Sequence, residues 1–235
     1  MPVHFKSKSL FLKITYLSLF SISLGYLEAA AVIYLRMQYY PNGFYFLLNN
    51  VIPNNVLLIE IFRELSTIAI LLSVAILSTK KFIERFGSFL FIFALWDIFY
   101  YIFLKIILGW PVSLLDKDIL LLIPVPWIAP VLAPIIVSVT FIILSMSIYY
   151  LSYKDPAFNN LGKIEWTFFS LASFLIFCSF MSEYLFYRFV NLDLIKNIIN
   201  LISTFNSNIL LWTIFIVGEF FLILVIILLL IRKKQ

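Results

Sequence analysis

The sequence predicts an all-α fold, a polytopic transmembrane bundle of about six helices whose fourth segment is interrupted by prolines. Three observations carry that prediction. Only 12% of the 235 residues are charged and the mean hydropathy is +1.07, whereas a soluble domain is about a quarter charged. Six apolar runs each approach the roughly 20 residues that a membrane-crossing helix needs. Lysine and arginine are unevenly shared between the loops that join those runs.

The six segments fall at about 10–35, 56–77, 88–108, 125–151, 166–187 and 209–231, by that length requirement. They make a single integral membrane domain over 1–235 and leave no room for a separate soluble one. None shows the polar alternation of a barrel strand. One set of loops holds Lys6, Lys8, Lys80, Lys81, Arg85, Lys154, Lys163, Arg232, Lys233 and Lys234. The other holds Arg36, Lys117, Arg188 and Lys196. Positive charge is retained on the cytoplasmic side, so both termini are expected in the cytoplasm of a cell-membrane protein. The net charge of +5 then reads as topology, with no implication of nucleic-acid binding. Cys178 is the only cysteine, which rules out an intrachain disulfide. His4 is the only histidine and lies in the tail. Bis-histidine haem, histidine zinc sites and an intramembrane histidine base are thereby excluded.

In the first segment, Lys6 and Lys8 precede an apolar run ending near Ala29-Ala30-Ala31, a pattern shared with signal-peptide cleavage sites. The length of the run, the interruption at Lys13 and Glu28 beside the site favour an uncleaved helix. Ser21, Gly25 and Glu28 share a face, which should pack inward. The loop from Arg36 to Asn55 is expected outside, with Tyr39, Tyr40, Phe44, Tyr45 and Phe46 as an interfacial belt.

The second segment carries Glu60, Arg63, Glu64 and Thr67 at i, i+3, i+4 and i+7, one face of a helix. On a lipid face each charge would cost about 2.5–3.5 kcal/mol, so this face should look into the protein and leave Ile61 and Leu65 nearer lipid. The third segment carries Asp97, Tyr101 and Lys105 at i, i+4 and i+8, one slowly turning stripe. Gly109-Trp110-Pro111 ends it. Trp110 and Trp127 read as interfacial anchors.

Between the third and fourth segments, Asp116 and Asp118 form a DxD pair. Such pairs can hold a divalent metal against phosphate. They can also cap a short helix at 119–123, the simpler reading; no metal and no cofactor is expected. Pro124, Pro126, Pro130 and Pro134 then enter the fourth segment. They predict an extended or re-entrant start carrying Trp127, with backbone donors lost further along. The fifth segment carries Ser182 and Glu183 near its outer end, residues 188–208 are amphipathic enough to lie along the interface, and the sixth carries Glu219 after Gly218.

The strings RELSTIAILL, WDIFYY…LK…GWP and IPVPW…PV…P resemble segments of uncharacterised prokaryotic integral membrane proteins. The resemblance covers roughly residues 60 to 135. It implies a similar bundle and carries no activity.

The candidate ligand or proton-pathway residues are therefore Glu28, Glu60, Arg63, Glu64, Asp97, Tyr101, Lys105 and Glu183. Five carboxylates among them face two cations, an imbalance that suits a cation, protons or a polar cleft. Asp97, Tyr101 and Lys105 are expected to line one outward-opening cavity with Arg63 and Glu64. The leading reading is a membrane-embedded binding protein or small transporter, with the lipid bilayer and a small solute or lipid as partners. An intramembrane enzyme acting on a lipid or isoprenoid by carboxylate chemistry and a non-catalytic complex subunit are the alternatives. The competing structural reading is an ion pair between Arg63 and Glu60 or Glu64 that locks helices together. Catalytic residues and oligomeric state are not specified by the sequence.

Overall fold

The computed structural model describes residues 3–39, 53–190 and 207–231, with side chains described for 10–39, 53–185 and 209–231. Most of the 36–55 loop and of the 188–208 amphipathic stretch lies outside the described residues. Six long helices run through the described chain: α1 (Val3–Tyr39), α2 (Asn54–Leu77), α3 (Phe82–Leu108), α4 (Leu132–Lys154), α5 (Lys163–Val190) and α6 (Ser207–Ile231). All except α2 are long and apolar enough to cross a membrane, so this is a membrane protein. At 24 residues α2 is about 36 Å long, and what distinguishes it is the charge at 60, 63 and 64. Helices suit this solvent because they satisfy their own backbone groups where no water can.

The chain groups into two compact units, Met1–Asp116 with Pro134–Asn160, and Lys117–Ala133 with Leu161–Gln235.

In the first unit α1 and α3 lie parallel: Lys13 sits beside Glu84 and Gly25 beside Trp96. Gly25 is what lets them approach, since a Cβ there would stand 2.9 Å from the Trp96 carbonyl oxygen and 3.1 Å from Phe99 Cβ. Ser21 and Ala29 are fully buried, so the small-residue face of α1 packs inward, and α1 continues without a break through Ala29-Ala30-Ala31. Leu17, Leu71, Ala75, Phe91, Ile92 and Trp96 form an apolar core between α1, α2 and α3. Gly109 ends α3 in the left-handed conformation, φ 69°, where glycine alone is unstrained. α4 runs antiparallel to α3, matching Ser138 with Asp97, Tyr149 with Ser88 and Ser152 with Glu84.

The helices mostly run a few residues past the hydropathy bounds, and two boundaries change what the chain does. α3 begins at Phe82, ahead of 88, because the apolar packing of Ile83 and Gly87 extends into the polar turn. α4 begins at Leu132, not 125, and in place of a capped helix at 119–123 there is a β-hairpin. Strand β1 (Lys117–Leu121) pairs antiparallel with β2 (Trp127–Pro130), Lys117 opposite Pro130 and Ile119 opposite Ile128, with an irregularity between Ile119 and Leu121. Pro124 and Pro126 bias the residues before them toward extended backbone, and the apolar run then finds its hydrogen bonds in a ladder. The Trp110–Pro111 and Ile123–Pro124 peptide bonds are cis. Pro134 lies in the first turn of α4, where its absent N–H would have had no helical acceptor. The donor loss expected at 134 therefore does not arise.

The second unit comprises the hairpin, α5 and α6. α5 and α6 are antiparallel, with Phe168 against Phe221 and Phe180 stacked on Phe215. A Cβ at Gly218 would stand 2.8 Å from Ile176 Cγ1 and 3.3 Å from the Ala172 carbonyl oxygen. This is the close helix approach that Gly218 suggests in the sequence. Ser179 Oγ donates to the Leu211 carbonyl across the same seam at 2.9 Å.

Candidate functional site

The i, i+3, i+4, i+7 spacing on α2 does what it predicts. Glu64 and Thr67 are each 6% exposed, while Leu65 is 48% exposed on the other side; of the pair expected nearer lipid, Ile61 is only partly exposed, and its neighbour Phe62, at 61%, is the more open residue. Arg63 sits at the centre of the inward face. Its Nε donates to Glu60 Oε2 at 2.9 Å and its Nη2 to Glu60 Oε1 at 2.5 Å. Its Nη1 donates to Glu28 Oε1 on α1. Thr67 Oγ1 lies 3.3 Å from Glu28 Oε2 and 3.1 Å from the Arg63 carbonyl oxygen. The guanidinium fork thus receives one carboxylate from its own helix, bidentate, and another from α1, the geometry for which arginine is suited. Side-chain exposures are 24% for Arg63, 11% for Glu28 and 15% for Glu60. With both carboxylates ionised, the centre carries one negative charge in excess of its cation. Glu64 adds a further buried carboxyl on this face.

The three members of the α3 stripe go to three different surroundings. Asp97 Oδ2 accepts from Ser138 Oγ on α4 at 2.8 Å. Tyr101 is 4% exposed, its ring against Tyr100 and Trp110. Trp110 in turn lies under the Arg36 guanidinium, 3.9 Å from the ring centroid, a cation–π contact closing the end of α1 over the end of α3. Lys105 turns back on its own helix terminus and donates to the Gly109 carbonyl at 3.2 Å and the Pro111 carbonyl at 2.6 Å. The sequence expects Lys105 to line a cavity with Arg63 and Glu64; the structure gives its ammonium acceptors on its own helix end and the turn after it. The carbonyls left open at a helix C-terminus, together with the negative end of the helix dipole, hold the ammonium.

The sequence reading misses a polar seam along α3 and α4. Ser138, Ser145, Tyr149 and Ser152 lie on one face of α4. They meet Asp97 at 2.8 Å, the Gly87 carbonyl at 2.7 Å, Ser88 at 2.7 Å and Glu84 Oε1 at 2.6 Å, respectively. Glu84 Oε2 also accepts from Thr79 at 2.8 Å, and Lys13 Nζ stands 3.7 Å from it and 4.7 Å above the Tyr149 ring. Ser88 further accepts from Ser78 across the α2–α3 turn at 2.7 Å. The signal was present as 7-4-3 spacing of hydroxyls along α4. Hydropathy starts the third helix at 88, which leaves Glu84 outside it, whereas α3 begins at Phe82.

In the second unit, Glu183 on α5 pairs with Lys117 on β1, and Trp127 packs edge-on against Phe177, 5.0 Å between centroids. Glu219 on α6 is 6% exposed. Of the DxD residues, Asp116 Oδ2 accepts from the Val112 and Ser113 amides at 2.7 and 3.1 Å, so it ties its own loop. Asp118 is 2% exposed within β1, the strand that replaces the helix these residues were expected to cap. Among the described residues no three His, Cys, Asp or Glu side chains gather as a metal site. No family model, curated protein or solved structure matches the chain.

Proposed function

We propose that this membrane protein is a membrane-embedded binding protein or small transporter for a cation, protons included, with Glu28, Glu60 and Arg63 as its centre. One observation supports the reading above the rest: two carboxylates from two helices converge on a single guanidinium inside an apolar bundle. A lock between α1 and α2 needs one carboxylate and one cation. The second carboxylate leaves negative charge that costs free energy unless something positive shares the site. Arg63 holds the carboxylates in place, and Thr67 supplies a further oxygen beside Glu28. The ten-to-four bias of Lys and Arg supports a topology with both termini in the cytoplasm and this centre in the outer half of the membrane.

The test is mass spectrometry of the protein purified in native lipid, together with proteoliposomes loaded with a pH-sensitive dye. A retained amine, or a proton flux under an imposed gradient, should disappear in Glu28→Gln and Glu60→Gln. Neither signal in the wild type, or signals untouched by both variants, would sink the proposal.

The Asp97–Ser138 hydrogen bond supports a second reading. A carboxylate 2.8 Å from a serine hydroxyl is the arrangement of a base beside a nucleophile, as an intramembrane enzyme acting on a lipid would require. Labelling of Ser138 by a lipid-soluble fluorophosphonate, lost in Asp97→Asn, would favour it.

A further inference from the structure

The hairpin and α5 of the second unit hold a feature that the Arg63 centre does not use. Trp127 opens β2 and lies 5.0 Å from Phe177 and 6.4 Å from Phe180, centroid to centroid. Glu183 follows Phe180 by one turn of α5, and side chains so spaced are neighbours, about 5–6 Å apart at Cβ. Both face the hairpin, because Phe180 meets Trp127 and Glu183 pairs with Lys117. Indole and carboxylate therefore flank one turn of α5.

Each of the two carries a buried polar atom that no described residue matches: the Trp127 Nε1–H donor and the Glu183 Oε2 acceptor. A buried donor or acceptor left unmatched keeps its full desolvation penalty. Two of opposite sense on the same turn ask for one occupant that accepts at one end and donates at the other. The surrounding chemistry sets the class of that occupant. Glu183 and the faces of Phe177, Phe180 and Trp127 suit an ammonium group. The indole N–H and the Lys117 ammonium suit an oxyanion.

We propose that the junction of the hairpin with α5 binds a zwitterionic amine–phosphate group, its ammonium on Glu183 Oε2 and a phosphate oxygen on Trp127 Nε1 beside Lys117. The group belongs either to a lipid headgroup of the surrounding bilayer or to a free aminoalkyl phosphate. Its dipole lies antiparallel to the Glu183–Lys117 pair, which explains why an ion pair and two unmatched atoms of opposite sense occur together.

The experiment uses the purified full chain in detergent, with phosphatidylethanolamine or phosphatidylglycerol added and native mass spectrometry as the readout. Phosphatidylethanolamine should be retained in preference to phosphatidylglycerol. Retention should fall at least about tenfold in Glu183→Gln and in Trp127→Phe, the loss of one charge-assisted or buried hydrogen bond. Trp127→Phe keeps a ring in place and removes only the donor, so it stands as the test if Glu183→Gln does not fold. Lys105→Met, in the other unit, should leave retention unchanged. Displacement by soluble phosphoethanolamine identifies a free solute as the occupant, and resistance to it identifies the lipid. Equal retention of the two lipids, survival of retention in both variants, or its loss in Lys105→Met would overturn the assignment.

Discussion

Replacing Arg63 by leucine removes three hydrogen bonds at once, two to Glu60 and one to Glu28, and leaves two carboxylates facing each other. Their side chains are only 15% and 11% exposed, so water screens little of the damage. Removing one partner of a buried ion pair costs about 3–5 kcal/mol, chiefly through the charge left behind. Neutralising that charge should recover most of the loss. The triple variant Arg63→Leu, Glu28→Gln, Glu60→Gln is therefore expected to be more stable than Arg63→Leu alone, even though it carries more substitutions. Reversible unfolding in mixed detergent micelles measures both. A loss below about 1 kcal/mol in the single variant would mean an exposed, screened pair. A triple variant no better than the single one would show that helix packing, and not charge, holds Arg63 in place.

Gly25→Leu should separate α1 from α3, because its Cβ already meets the Trp96 carbonyl; a destabilisation of about 1–3 kcal/mol or more in the same unfolding assay is expected, and none would refute the close approach. Lys105→Met should cost only about 0.3–1 kcal/mol, the worth of a cation at a helix C-terminus, and should leave ligand retention intact; loss of retention would return Lys105 to the binding site. Asp97→Asn keeps a hydrogen-bond acceptor for Ser138 and, on the enzyme reading, should abolish Ser138 labelling and activity while the melting temperature stays near that of the wild type; equal loss of both would make the α3–α4 seam structural. With Cys178→Ala as background, an impermeant thiol reagent added to intact cells should label Leu115→Cys, which is 63% exposed, and spare Lys80→Cys; the opposite pattern would invert the topology.

Composition and hydropathy alone determine that this is a helical membrane protein, because a chain with so few charges cannot cover itself with polar surface. The inward face of α2 is legible for a related reason. Glu60, Arg63, Glu64 and Thr67 fall on one helical face, and lipid would tolerate charge there only at high cost. Their partners are not legible. Glu28 lies 35 residues from Arg63 in sequence, and only the packing of α1 brings the two together. The same holds for Asp97, whose spacing relates it to Lys105 on its own helix while its hydrogen bond goes to Ser138 on α4. Local periodicity says which residues share a face, but says nothing about which helix that face meets. At 117–130 the proline pattern marks a break in the helix, yet the choice of a hairpin over a capped turn comes from strand pairing between residues that hydropathy treats as one run. Only the tertiary structure decides that Glu84, at a helix end that looks like a polar turn, meets Lys13 of α1 and Ser152 of α4, because those partners lie far from it in the chain and only Thr79 is a local one.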